Sequence, residues 1–370
     1  MMKAKVTVAL GFGVILGLIV VASACFAGKW DWQTGSGASS SSSSVVAAPS
    51  PSAATSPPSS PTPPATSAST IPRITQPIMF NQPAADEILS RMQIFPKDNP
   101  WNWDISKTPL LKNSAQMIAT MGAGGALACN LDMGFIIAPP NQPRVPVRIT
   151  AYPEDSEKGP FPVPIMMPIE EWPIAGGNLA AYQQKGGGGD RHSIVVDPIN
   201  GMLYEFYQTR RTNAGWEAGC AAVFNLKTNA MRPKGWTSTD AAGLPLFPAV
   251  VRYDECARGM VNHAMRVTMK RTRDSYVYPA RHYASKQTDP NLPRMGERLR
   301  LRRDFNIAGF SPHVQAILKG LMKYGMFVAD NGGNWRISVA PDLRIVGLDE
   351  LKRVKGSDFE VVDTSGMGGE

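Results

Sequence analysis

The sequence predicts a mainly β fold: an antiparallel β-sandwich or jelly-roll-like domain with one or two covering helices. Three observations carry this. Short apolar runs such as HSIVVD, MLYEFYQTR, AAVFNL, NHAMRVTM and RLRLRRDF succeed one another with turn residues between them. The alternating strand–helix–strand units of a Rossmann or TIM architecture are missing. Only SPHVQAILKGLMKYG has strong helical periodicity, and a helix with one apolar face covers a sheet.

The chain begins with Lys3 and Lys5, then an apolar run from Val6 to Ala27. Positive residues, an apolar stretch and small residues make an export signal. Cys25 after Ala22-Ser23-Ala24 resembles a bacterial lipoprotein processing site, with Cys25 as the lipidated residue. Cleavage after an A-x-A pattern is the second option. The third is an uncut signal anchor, since a run of about 22 residues can span a bilayer. All three place the rest of the chain outside the cytoplasm, anchored or secreted. Residues 1–27 form this segment, and residues 28–74 form a Ser/Pro-rich tether. GASSSSSS and SPPSSPTPPATS cannot bury a core and are expected to be disordered. Residues 75–370 are expected to form one globular domain.

Within that domain ADEILSRM and NSAQMIATMG predict short helices, the second capped by Asn113 or Ser114 and stopped at Gly122. Prolines are dense between Pro139 and Pro173, which predicts extended edge strand and loop. HSIVVD and MLYEFYQTR flank PING, a hairpin with Gly201 at the turn. The strand pattern continues through SYVYPARHYA and MFVADNGGNWRISV, which carries its own DNGGN turn. In the long helix Ser311 is the N-cap, Pro312 the first helical residue and Gly325 the stop. Val314, Ile317, Leu318 and Leu321 form its apolar face, and His313 sits on the surface of its first turn.

The whole chain carries 38 Lys+Arg and 30 Asp+Glu, a net +8. Without Lys3, Lys5, Lys29 and Asp31, residues 73–370 carry 35 and 29. The excess is spread out except in RLRLRRDF. There Arg298, Arg300 and Arg302 share one side of a strand, read as a solvated face. No concentrated basic face exists, so no nucleic-acid partner is expected. Cys129, Cys220 and Cys256 follow Cys25; in an exported protein Cys220–Cys256 is the expected pair. No CxxC occurs.

FPKDNPWNWDIS, GDRHSIVVD, GWTSTDAAGLPLFPAVVRYDE, NHAMRVT, YVYPARHYAS and FSPHVQAILKGLMKYGMFVADNGGNW together resemble a group of secreted or anchored proteins of environmental bacteria with no assigned activity. The resemblance spans most of residues 94–345 and implies that these segments belong to one domain.

The chemistry is therefore argued from residue types. The chain has four histidines, and His192, His263 and His282 lie at or near strand starts. His192 and His263 share faces with apolar residues, which is also what a hydrogen-bonded core histidine does. If the three converge, three imidazoles, or two with Asp190, could hold a divalent metal, although no motif requires a cofactor. Alternatively a histidine or tyrosine moves a proton while an arginine holds a sugar carboxylate or hydroxyl; Tyr278, Arg281, His282 and Tyr283 offer those types. Glycoside hydrolysis needs two carboxylates, and Asp190, Glu205, Asp240, Asp254, Glu255 and Asp330 are available. Trp236, in the same loop as Asp240, could stack on a sugar, and Arg191 and Trp335 complete the candidate binding residues. The alternative for Asp240 is a turn cap, and for Asp254 a pair with Arg252 or Arg258. GWEAGC lacks the context of a cysteine nucleophile, no G-x-S-x-G occurs, and GGGG at Gly186–Gly189 is not a phosphate loop.

Two functions survive. The first is a surface-anchored enzyme acting by hydrolysis or β-elimination on an extracellular polysaccharide. The second is a non-catalytic β-sandwich that binds glycan or a surface protein. The expected partner is an extracellular glycan or cell-surface polymer, with membrane contact through the N-terminus only. Convergence of His192, His263, His282 and Asp254–Glu255 on one cleft discriminates between them: a shared cleft favours the enzyme, and scatter favours the binding domain.

Overall fold

The computed structural model describes residues 70–186 and 188–368. The apolar run, Cys25 and nearly all of the tether lie outside the described residues. The chain proceeds through β1 (Ile78–Met79), α1 (Pro83–Arg91), α2 (Ser114–Met121), β2 (Ala128–Leu131), β3 (Phe135–Ile137) and β4 (Val147–Ile149). Next come α3 (Leu179–Gln184), β5 (Ser193–Asp197), β6 (Met202–Tyr207), β7 (Arg210–Thr212), β8 (Gly215–Ala218), β9 (Cys220–Asn225) and α4 (Tyr253–Ala257). The last elements are β10 (Met265–Met269), β11 (Arg298–Leu301), α5 (Pro312–Lys323), β12 (Met326–Asn331), β13 (Arg336–Val339) and β14 (Phe359–Val362). The fold is β-rich, as expected. It is not a purely antiparallel sandwich, because all three sheets are mixed.

The first sheet has the order β1-β3-β5-β6-β9, with β3 and β5 parallel. The second has the order β14-β11-β12-β10-β13-β2, with β12 parallel to β10 and β2 parallel to β13. The third, β4-β8-β7, contains one parallel pair. Parallel pairing needs a long return connection, and the proline-dense stretch supplies one between β3 and β5.

Local chemistry explains the elements that position the site. The β5–β6 hairpin closes at Asp197↔Met202. Asp197 accepts from the Asn200 backbone N–H at 3.0 Å and from the Asn200 amide at 2.7 Å, and Gly201 adopts φ +70°. Helix α2 ends at Gly122 (φ +89°), and α5 starts at Pro312 and buries Val314, Ile317, Leu318 and Leu321. DNGGN does not close a hairpin: β12 and β13 both flank β10 and never pair with each other. SYVYPARHYA forms no strand; it makes isolated bridges such as Tyr276↔Met295.

Two further expectations are corrected. Arg298 and Arg300 are buried, not solvated. Arg298 donates to the Tyr324 and Pro100 carbonyls and lies 4.0 Å over the Phe327 ring, while Arg300 bonds Glu360 and the Ile105 carbonyl. A guanidinium can satisfy itself on backbone carbonyls and an aromatic face, which alternation alone does not reveal. Cys220 and Cys256 are both free: Cys220 opens β9 beside Ser156, and Cys256 lies in α4 among charged neighbours.

The segment from Trp236 to Val251 joins the first sheet to the second. Glu205 of β6 accepts from the Leu246 and Phe247 backbone N–H groups at 2.9 and 2.8 Å. The Ala242 N–H donates to Ala329 of β12, and Val251 exchanges backbone bonds with Ser338 and Ala340.

Candidate functional site

Four consecutive residues, Thr239–Ala242, organise the polar centre of the molecule. The Thr239 carbonyl accepts from His192 Nε2 at 2.7 Å, and its hydroxyl donates to Glu205 Oε2 at 3.2 Å. Asp240 receives Arg266 through both carboxylate oxygens, at 3.0 and 2.8 Å. The Ala241 N–H faces Asp330 Oδ2 at 3.4 Å, and its carbonyl accepts from His282 Nδ1 at 2.8 Å. The Ala242 carbonyl accepts from the Arg281 backbone N–H at 2.8 Å. Arg266 completes the core of the cluster by donating to Ser338 Oγ at 2.7 Å, with Asp330 at 4.0 Å.

Gly243 makes this loop possible. Its φ is +70°, and a Cβ there would stand 2.6 Å from the Trp236 carbonyl and 3.0 Å from Arg281 Cβ. A backbone oxygen cannot swing aside, so Gly243→Ala is expected to cost about 1–3 kcal/mol in chemical denaturation. A cost below experimental error would show that the loop repacks freely.

Electrostatics divide the cluster into spent and available groups. Glu170 Oε2 lies 3.2 Å from His192 Nδ1. Burial would push His192 down, but the Glu170 carboxylate, its hydrogen bond and Asp190 outweigh burial and raise it to about 10. Both ring nitrogens are therefore protonated donors, one to Glu170 and one to Thr239. A ring so committed clamps the loop. Burial pushes Glu205 up to about 7 against the pull of the Phe247 and Leu246 N–H groups. Burial and then Glu170 push Asp132 up to about 7. Burial, and Asp240 after it, raise Asp330 to about 8 against the pull of Arg266. Burial and the exposed Asp190 also raise Tyr207, whose ring lies 5.6 Å from that of His192.

His282 differs from the other histidines. Its Nδ1–H is fixed on a carbonyl, which leaves Nε2 as the lone-pair nitrogen. It is half-buried, and Nε2 has no hydrogen-bond partner among the described residues. His282, Asp330, Tyr207 and Asp190 thus form the side of the cluster that meets solvent.

The other expected site residues fall elsewhere. His263, Glu255 and Asp254 belong to a separate buried network around α4. His263 Nε2 lies 2.9 Å from Glu255 Oε2, Arg252 lies 2.9 Å from the same oxygen, and Arg258 lies 2.8 Å from Asp254. Asp254 therefore pairs with arginines, as its alternative reading held. Trp335 is a core residue: it is fully buried against Phe359 and donates Nε1–H to the Gly122 carbonyl. Arg191 is also buried, on the Thr209 and Tyr182 carbonyls. Trp236 is half-buried beside Arg232, at 5.3 Å. Tyr278 is half-buried near Trp103, whereas Tyr283 is exposed. Among the described residues no three His, Cys, Asp or Glu side chains are placed to hold a metal ion.

Sequence reasoning missed Glu170, Asp132, Arg266 and Ser338 as partners of the site. Only Arg266 left a signal, a charge in the middle of an apolar strand. Two cavities, of about 300 and 500 Å³, lie near Ile71 and Arg73, and no residue of the cluster lines them. No family model, no curated protein and no solved structure matches the chain.

Proposed function

We propose that the protein is a surface-anchored extracytoplasmic enzyme that hydrolyses an extracellular polysaccharide. The observation that carries this reading is the gathering of His282, Asp330 and Asp240 on Thr239–Ala242. Asp330, raised to about 8, keeps its proton at neutral pH and can give it to a leaving oxygen. The exposed Asp190 supplies a second carboxylate on the solvent side, the pairing that glycoside hydrolysis uses. His282 Nε2 is placed to orient water or a sugar hydroxyl. The two larger sheets, joined by Trp236–Val251, act in this reading as a sandwich-like scaffold.

Hydrolysis is favoured over β-elimination by charge. Elimination from a uronate needs a cation free to neutralise the sugar carboxylate. Arg266 is held by Asp240 and Ser338, Arg191 by backbone carbonyls, and Arg281 has contacts of its own. A binding domain without catalysis is the second reading, favoured by the scatter of His263 and Asp254–Glu255 away from His192 and His282 and by the exposed ring of Tyr283.

The test is to incubate the detergent-purified full chain with neutral and acidic polysaccharides and to follow reducing ends. Asp330→Asn is expected to lower the rate by about 10²–10³-fold without changing the far-UV spectrum. No reducing ends from any polymer, or full activity in Asp330→Asn, would overturn the hydrolase reading.

A further inference from the structure

The charge of the cluster opposes that of the chain. The protein carries a net +8, yet Asp132, Glu170, Asp190, Glu205, Asp240 and Asp330 gather around one loop. Arg266 and the His192 imidazolium are the cations among them, and both are already engaged. Arg191 turns to carbonyls, and Arg281 lies at the half-buried margin with contacts of its own. With Asp330 protonated at neutral pH, and with His192 and Arg266 answering Glu170 and Asp240, the exposed Asp190 carboxylate is left without a cation of the cluster.

Asp132 is a further acid within the cluster. It is 5 % exposed, its Oδ1 has no hydrogen-bond partner, and the charges acting on it are Glu170, Arg266 and His192. Its carboxyl group thus lies within reach of the cluster's charges, with Oδ1 unpaired.

An independent feature begins at His282. The rings of His282 and Tyr283 stack at 6.1 Å with an interplanar angle of 21°, and Tyr283 and Tyr276 stack at 6.3 Å and 30°. Tyr283 is 42 % exposed. The three rings stack in series, with Tyr283 exposed and His282 and Tyr276 half-buried. Such faces accept the apolar side of sugar rings and attract cations. An acidic glycan would meet like charge at Asp190, and a neutral one would leave that carboxylate unanswered.

We propose that the site takes a glycan bearing free amino groups, with an ammonium group facing Asp190 and sugar rings along His282, Tyr283 and Tyr276. This rests on the glycan reading above and narrows its substrate class.

The test is calorimetric titration of the detergent-purified full chain with three probes: a glucosamine tetrasaccharide, its fully N-acetylated form and tetragalacturonate. The free-amine probe is expected to bind at least about tenfold more tightly than the acetylated one, with the preference shrinking as salt rises. Tetragalacturonate is expected not to bind. Asp190→Asn, at an exposed position that does not threaten folding, should erase most of the preference. Tyr283→Ala should weaken both amino-sugar probes by a similar factor. Equal binding of the acetylated probe, binding of the uronate, no binding of any probe, or an unchanged preference in Asp190→Asn would each overturn the inference. Hydrolysis of a neutral polymer without amine preference would remove this inference and leave the hydrolase reading. Amine-selective binding without hydrolysis of any polymer would do the reverse.

Discussion

Arg266→Ala is expected to lower the unfolding free energy by about 3–5 kcal/mol, read as a shifted urea midpoint at unchanged slope. Arg266 is 4 % exposed, and the Asp240 side chain it binds is fully buried. Truncation strands that carboxylate, and also leaves Ser338 Oγ and Asp330 without their cation. Asp240→Asn should cost less alone, because an amide can still bond without carrying charge. Combined with Arg266→Met it should recover part of the loss, since the pair then leaves no buried charge. Arg266→Lys should not rescue, because a point charge cannot replace the fork that meets both oxygens. A loss below about 1 kcal/mol in Arg266→Ala would show that water enters the cluster and that the ion pair is not structurally decisive.

Stability should fall as pH rises from 5 to 9. His192 is held at about 10 in the fold against 6.5 when unfolded, so its contribution is complete below 6.5 and disappears as pH passes 10. Asp132 and Glu205 are raised to about 7 and Asp330 to about 8. The folded state holds these protons where the unfolded chain has released them, so each also makes stability fall with rising pH. The side chain of Asp330 is 25 % exposed, and its share is discounted accordingly. At about 1.4 kcal/mol per pKa unit, and without assuming additivity, the drop is expected to reach about 4 kcal/mol. Glu170 and Glu255 are depressed and act in the opposite sense, below about pH 5. Denaturation midpoints at fixed ionic strength test the slope, and His192→Gln should flatten it above pH 6.5. Stability that is flat or rising across this window would remove the buried-charge account of the cluster.

The parts of the fold that were legible in the sequence are those with a local cause. PING with Asp197 and Gly201 specifies its hairpin by turn chemistry, and α5 is specified by Pro312 and its apolar period. The parallel pairs were not legible, because β10 finds β12 across β11 and α5, and nothing near Met265 records that partner. DNGGN misled for the same reason, since a good turn can join strands that a third strand separates. In the site, GWTSTDAAG was legible as a loop rich in small polar residues, and His282 as a histidine beside it. The roles were not. His192 and His282 differ in burial and in what their second nitrogens meet, and both are set by tertiary packing. Arg298 shows the converse: an alternating charge pattern hid a cation fully buried on Phe327.

The Thr239–Ala242 hub also has a kinetic meaning. Its partners come from the start of β5 and from β6, β10 and β12, so its bonds close long loops of the chain. Contacts of such long sequence separation form only after the chain's entropy has been largely surrendered. The hub is therefore completed late in folding, when both large sheets are in place. A half-folded chain would already hold its hairpins and helix α5, yet would have no assembled acid cluster.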